Sequence, residues 1–565
     1  MRPILALFIT ISFSADAESL RVPIQLDWPE GSSVRSWPMT FGMPFKQGQC
    51  RDIGQLVIVD NENKEAPSQF VKTGAWKDGS VRWALIDFIA QQGRGYFVQK
   101  RRTERQRQPG DIEIYKDQKG FVNHTGKARF RIHAGYGLLN EIALDLNSDG
   151  NFTDDEILQG RSDCHSYVVD SKGRMGLLHT AEQKIELNGP RRSVIRITGD
   201  YKDGRGNRLA AGVVYLHFYG GLPQFRIEHK LIVTEDTNQL WFREIAVRFP
   251  GLLVGDEPAA GSFNDDWSNP TSAFSRKFSE RNRGAAKDGA PESMVMLQDD
   301  FPHFGSESSH FSIASQIGGK EDSKQGKACG DWCDLSTSRM GISVQVPTFA
   351  EQFPKAFALG QNSITVKLWP SECGRELDFR TQQIIESYFG HDWIPKTILD
   401  SKTKKQVPNP LLGMANTAQG TAKIHDLWVY PHAGNLNADS LSQLAGTRHP
   451  PYATIDPKWA ADSNVFGAVH PKDTKRFPEV EAALSDYFDT TVIAPHKVFP
   501  QTGYLYWGMY PWTSWEHRKD GKWYPHPHRL ARFLEYNLRR GMWVLYARSG
   551  DRKYLEYAKR YTRLL

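Results

Sequence analysis

From Leu20 to about Arg380, apolar residues recur at every second position in short runs, broken by glycine, asparagine and aspartate. Side chains alternate across a strand, so this period marks half-buried β-structure. The runs Leu56–Val59, Val81–Phe88, Ala128–Ile132, Ser193–Thr198, Val213–Phe218 and Ser363–Leu368 are of this kind, and Asp78-Gly79 is a typical break. Almost no helical periodicity interrupts them. The pattern changes near the end. Leu530, Phe533, Leu534, Leu538, Met542 and Leu545 fall at three- and four-residue steps, and Tyr554, Leu555, Ala558, Tyr561 and Leu565 form a second stripe. Ser549-Gly550-Asp551 between them supplies a left-handed C-terminal glycine and an N-cap carboxylate. The expected architecture is multidomain, mainly β then α, ending in an αα-hairpin.

A chain of 565 residues is too long for one core, and two to four domains are expected. A charged segment, Lys100 to Lys116, separates a first β domain over residues 18–115 from a larger β-sandwich over 116–380. Residues 381–565 hold a linker and the helices. The formal charge of +6 permits an acidic substrate, and no dense Lys/Arg run points to nucleic acid. Arg2, the apolar run Ile4 to Phe13 and Ala15-Asp16-Ala17 form a three-part secretory signal, expected to be cut after Ala17. No later stretch has the length of a membrane span, so the mature chain is expected to be secreted or periplasmic. Five cysteines leave at least one unpaired within the chain, and Cys329 and Cys333 could close a small loop or stay apart.

Two motifs carry a family resemblance. Trp37-Pro-Met-Thr-Phe-Gly-Met-Pro-Phe45 followed by Trp76-Lys-Asp-Gly-Ser-Val-Arg-Trp83 resembles the N-terminal barrel of the PcRGLX/YetA-like proteins, a group named for an exo-acting rhamnogalacturonan lyase. The resemblance implies a small RIFT-type β-barrel, a central β-sandwich and a C-terminal α/α toroid. Tyr546 to Leu555 looks like the first turn of that toroid. One hairpin cannot close a ring, so a C-terminally truncated chain is expected, with two apolar stripes left without neighbouring hairpins. The resemblance also implies β-elimination next to a uronic acid in a pectic, rhamnogalacturonan-like polysaccharide.

That reaction needs a cation on the carboxylate, a base for the proton alpha to it, and an acid for the leaving oxygen. Two stretches hold such groups. Gly420 to Pro431 carries Lys423 and His425, which share one face if the segment is extended, with Trp428 and Tyr430 beside them. Tyr504 to Arg532 is poor in aliphatic side chains and rich in rings and proton carriers, as suits a groove that stacks on sugars. In the resembling family the first stretch commonly reads Lys-Thr-His-Glu, so Lys423 and His425 carry over, while Ile424 and Asp426 depart from the pattern. The second stretch departs too, since relatives tend to carry a Gly/Asp-rich version with an acidic residue where Tyr504 to Tyr510 stands. The expected catalytic set is Lys423 on the carboxylate, His425 as base, and Tyr506 or Tyr510 as acid. Trp428, Tyr430, Trp512, His517, His528 and Arg532 are the expected substrate contacts. A glycoside hydrolase would need two carboxylates flanking the bond, with Asp426, Glu516 and Glu535 available. A non-catalytic carbohydrate-binding protein is the third reading.

Asp145-x-Asn147-x-Asp149-Gly150-Asn151-x-Thr153-x-x-Glu156 fits the spacing of a calcium loop, with oxygen ligands on alternate residues and a glycine at the bend. The same residues would also make an Asx-rich turn between strands. The expected cofactor is structural Ca²⁺, with no organic cofactor.

Overall fold

The computed structural model describes residues 20–100, 108, 110–160, 162–252, 257–279, 292–301, 310–380, 397–408, 418–498, 502–505, 514–517, 523–526 and 538–563. The expected signal segment, residues 1–17, lies outside them.

The molecule is mostly β, with a small N-terminal barrel against one large sheet. In the barrel strand Ser36–Pro44, Trp37, Met39, Phe41 and Met43 point inward at alternate positions and pack with Ile86, Phe88 and Val98. Tyr452–Ile455 pairs antiparallel with Arg21–Asp27, Ile24 opposite Ile455, so a late segment completes this first sheet. The barrel is therefore sealed from the C-terminal side, and Ala453 and Ile455 join its core.

A sixteen-stranded antiparallel sheet forms the body, next to a five-stranded sheet built from Glu113–Lys116 to Ile157–Gln159. Their apolar faces enclose one core that runs from Phe130 and Phe218 through Phe249 and Phe357 to Val429. The large sheet does not stop at Arg380, where the expected domain boundary was drawn. Ala422–Ala433 lies within it, hydrogen-bonded to Phe225–Ile232 on one side and Met340–Gln345 on the other. Alternation explains this: Leu427 and Val429 enter the core, while Asp426 and Trp428 face the barrel side.

The αα-hairpin is present as Leu538–Ser549 and Arg552–Thr562. Gly550 takes a left-handed φ of 69° between them, and Asp551 accepts from Lys553 N at the next N-cap. Contrary to expectation, the hairpin has a packing partner. Phe488 and Val492, from the helical stretch that opens with Pro478–Phe488, close over Met542, Tyr554, Ala558 and Tyr561. A buried Glu481–Arg548 pair joins the same layers. Arg552 donates to Asp27 Oδ2 at 2.6 Å and ties the hairpin to the barrel. The five cysteines are all unpaired, Cys329 and Cys333 included; both are fully buried on the sandwich side.

Candidate functional site

Ala422–Ala433 pairs with Phe225–Ile232 along most of its length, but with Met340–Gln345 only from Trp428 onward. Among the described residues, 422–427 therefore have one open edge. A cavity of about 960 Å³ lies there, bounded by the barrel, the large sheet and the last helix. Seven lysine and arginine side chains line it against three carboxylates: Arg192, Arg226, Lys423, Arg448, Lys559, Arg560 and Arg563 against Glu351, Asp426 and Glu556. Such an excess of like charge favours an anionic occupant.

The open edge lets the cavity reach both faces of one strand. On the barrel face, Asp426 is paired with Arg226 at 3.3 Å and with Arg563. Burial alone would raise its carboxyl, but the two guanidiniums hold it below the usual range. Arg226 also donates to His217 Nε2 at 3.0 Å. Desolvation, Arg226 and Arg192 together keep that imidazole neutral. Arg192 in turn pairs with Asp87 of the barrel at 2.7 Å. Charges on this face are largely matched.

The core face differs. Lys423 and His425 project there together, as their spacing requires. His425 is 3 % exposed and lies opposite His229 across the strand pair. Lys355, fully buried, places Nζ 3.0 Å from His425 Nε2 and 3.3 Å from the Leu368 carbonyl oxygen. Tyr504 fits between the amines: its ring centre is 5.2 Å from Lys355 Nζ and 5.3 Å from Lys423 Nζ. Its ring also sits 5.3 Å from that of His425. Behind them, His229 Nε2 lies 2.8 Å from both Ser166 Oγ and Tyr201 OH. Among the described residues no carboxylate pairs with Lys355 or Lys423 on this face.

Protonation follows from that imbalance. Burial, then Lys423, pulls Lys355 well below the ordinary lysine range. Desolvation and the neighbouring Lys355 and Lys423 do the same to His425. Lys423, half-buried on the cavity wall, is brought down to about 7 by desolvation and by Arg563. Burial lowers His229 to about 4. An amine that titrates near 7 beside a neutral imidazole is equipment for moving a proton at neutral pH.

Of the expected site residues, Lys423, His425 and Trp428 line this cavity. Trp428 is walled in by rings, stacked on Tyr219 at 5.6 Å and tilted against Trp37 at 5.6 Å, so little of its face is free for a sugar. Tyr430 does not join them. It is buried with Trp332 and Leu444 beneath Ala438–Arg448, its hydroxyl hydrogen-bonded to Thr447, because that helix folds back over the strand's end. The backbone of His517 lies in Ser514–His517, paired with Trp523–His526. Tyr506, Tyr510, Trp512, His528 and Arg532 lie outside the described residues.

Sequence reasoning missed Lys355. The signal was there: in Lys355–Gly360, Lys355 shares alternate positions with the core residues Phe357 and Leu359. It also missed Trp267, whose ring lies 4.8 Å beneath the Arg448 guanidinium at the cavity's far side. No local pattern announces that pair.

In the Asp145–Glu156 loop, Asp145 accepts from Asp149 N and Gly150 N, each at 3.1 Å, and Asp149 accepts from Asn151 N. Asn147 and Asp149 bond to each other, and Thr153 donates to Glu156. Glu156, which the template needs as a two-oxygen ligand, has both oxygens on backbone amides, Leu146 N and Thr153 N, each at 2.9 Å. As arranged, the donor set is that of a self-bonded turn. Among the described residues no group of three His, Cys, Asp or Glu side chains is disposed to hold a metal ion.

Residues 22–100 match the family described as the PcRGLX-like N-terminal RIFT barrel domain. The chain is 22% identical over 417 residues to the uncharacterized protein YetA of Bacillus subtilis (strain 168), an alignment covering 65% of this chain and 47% of that one. The chain thus spans about half the length of the curated relative it matches. Among solved structures, a protein in the glycosyl hydrolase family 38 from Enterococcus faecalis aligns at TM-score 0.41 and 10% identity, over 77% of this chain and 47% of its own. A family GH36 α-galactosidase from Geobacillus stearothermophilus aligns at TM-score 0.29 and 10% identity, over 57% and 41%. At these scores neither structure bears on the chemistry.

Proposed function

We propose, for a chain whose residues 22–100 are a PcRGLX-like RIFT barrel, a secreted polysaccharide lyase that cleaves a uronate-containing, pectic polymer by β-elimination. The observation that carries the reading is the cationic cavity in which Lys423 and His425 sit, among the described residues, without a carboxylate partner. A uronate carboxylate would dock against Lys423 and Arg563. Its arrival would raise the Lys423 amine from about 7 and hold it charged. With the carboxylate neutralised, the proton alpha to it acidifies and passes to His425. The leaving oxygen would be protonated by a tyrosine of the ring-rich segment, Tyr506 or Tyr510. The helices would be the start of an α/α toroid, and export rests on the signal pattern of residues 1–17.

The hydrolase alternative gains little here, since Asp426 is engaged by two arginines. Products separate the readings. Incubated with rhamnogalacturonan or galacturonan, a lyase releases unsaturated uronate that absorbs ultraviolet light. A hydrolase releases reducing ends without that absorbance, and this outcome would overturn the proposal.

From the ligand spacing alone we also propose that Asp145 to Glu156 takes calcium, which requires Glu156 to exchange its amide partners for the cation. At a hundred times its dissociation constant, calcium would stabilise by about 2.7 kcal/mol. Melts in calcium and in chelator should differ by several degrees, and coincident melts would exclude it.

A further inference from the structure

Lys355 has no place in the reaction just described, yet among the described residues it is the most deeply buried lysine near the site. Among the described residues its Nζ is approached by the Leu368 carbonyl, the Tyr504 ring and His425 Nε2. The carbonyl can only accept, and the ring face takes an N–H. The third direction points at an imidazole nitrogen, which is either acceptor or donor according to tautomer. The surroundings bear on the choice. Lys423 and His425 face Lys355 from Ala422–Ala433, and His229 stands behind them from Phe225–Ile232. Tyr504 comes from its own loop, Tyr201 and Ser166 lie beyond His229, and Arg563 acts on His425 from the C-cap of the last helix. Every charged group in that set is a cation.

We propose that Lys355 is a positioning residue: its neutral amine accepts the Nε2–H of His425, which leaves Nδ1 as the basic nitrogen. Were Lys355 instead a donor, its proton would occupy the Nε2 lone pair, Nδ1 would carry hydrogen, and His425 could not take a proton. The amine therefore decides whether the imidazole is a base or a donor. Two amines flank the same tyrosine ring, and only Lys423 lies on the cavity wall, where an anion can compensate its charge. This assignment rests on the proposed role of His425, but its test does not require turnover.

Long-range ¹H–¹⁵N spectra of histidine-labelled protein, with His425 assigned by loss of its signals in His425→Gln, read the tautomer directly. At pH 7.5 the wild type should show Nε2 protonated and Nδ1 free. Lys355→Arg, whose guanidinium can only donate, should flip His425 to the Nδ1–H form. In the activity arm, Lys355→Arg and Lys355→Met should lower kcat by at least about tenfold, as a wrong tautomer does, with KM unchanged. A wild type with Nε2 unprotonated, or one tautomer shared by wild type and Lys355→Arg, would overturn the assignment. If the variants fail to fold, the wild-type spectrum decides alone. A chain with the expected tautomer but no unsaturated product would sink the lyase reading and leave Lys355 where it is.

Discussion

Two histidines on one strand, His425 and His432, live under opposite rules. Their odd and even positions place them on opposite faces of Ala422–Ala433. His432 Nε2 donates at 2.8 Å to Asp334, a fully buried carboxylate also held by Ser336 and Ser343. Burial alone would lower its pKa, but Asp334 raises it above the ordinary value, so the charged form of His432 is favoured. His425 faces two amines and is held neutral. The same contrast separates the paired Arg226–Asp426–Arg563 cluster from the unmatched Lys355 and Lys423. Where each charge meets its opposite, burial makes scaffolding. Where cations meet only cations, burial favours the neutral form, and Lys423, brought to about 7 at the cavity wall, is left able to exchange a proton near neutral pH.

The largest effect should come from the unmatched face. His425→Ala, in a chain active on polymer, should lower turnover by about a hundredfold to ten-thousandfold, the range for one positioned proton carrier. Near-normal turnover, measured by product absorbance, would remove it from the mechanism.

The matched face should answer in stability instead. Asp426→Ala leaves Arg226 and Arg563 without their shared anion and should cost about 2–3 kcal/mol in denaturant unfolding. A loss under about 0.5 kcal/mol would mean that the cluster is as labile as the other face.

A smaller effect distinguishes the histidines. The folded pKa of His432 is raised, so its stabilisation is full below the unfolded value near 6.5 and is lost as pH rises through the folded value. That contribution is read as the difference in melting temperature between wild type and His432→Gln, which should shrink as pH rises through that window, whatever opposite slope the buried groups of lowered pKa add to both proteins. His425→Gln should change the slope with the opposite sign near 6.5, because it removes a group whose folded pKa is lowered. An unchanged slope in His432→Gln would show that Asp334 does not hold the charge.

Much of this contrast could be read from residue parity. Lys423 and His425 share a face because strands alternate, and the hairpin follows from Gly550 and Asp551. The partners could not be read that way. Lys355, Arg226 and Arg563 reach the site from strands and a helix far apart in sequence, and only the sheet order brings them together. Tyr430 shows the converse difficulty: a ring in a ring-rich segment serves a groove or a core equally well, and the fold-back of Ala438–Arg448 decided for the core. Phe488 and Val492 escaped notice as the hairpin's partner because their stripe crosses a π turn, Asp489–Ile493, which breaks the helical period.

The central claim is that the Lys423 amine, without a carboxylate partner among the described residues, awaits an anion. Titration calorimetry with galacturonate, run near pH 7 in two buffers of different ionisation enthalpy, tests it without requiring turnover. Lys423, titrating at about 7, is about half protonated before binding, and a bound carboxylate raises it. We predict uptake of up to about half a proton per galacturonate bound, lost in Lys423→Met. Binding heats that are identical in the two buffers would contradict the account.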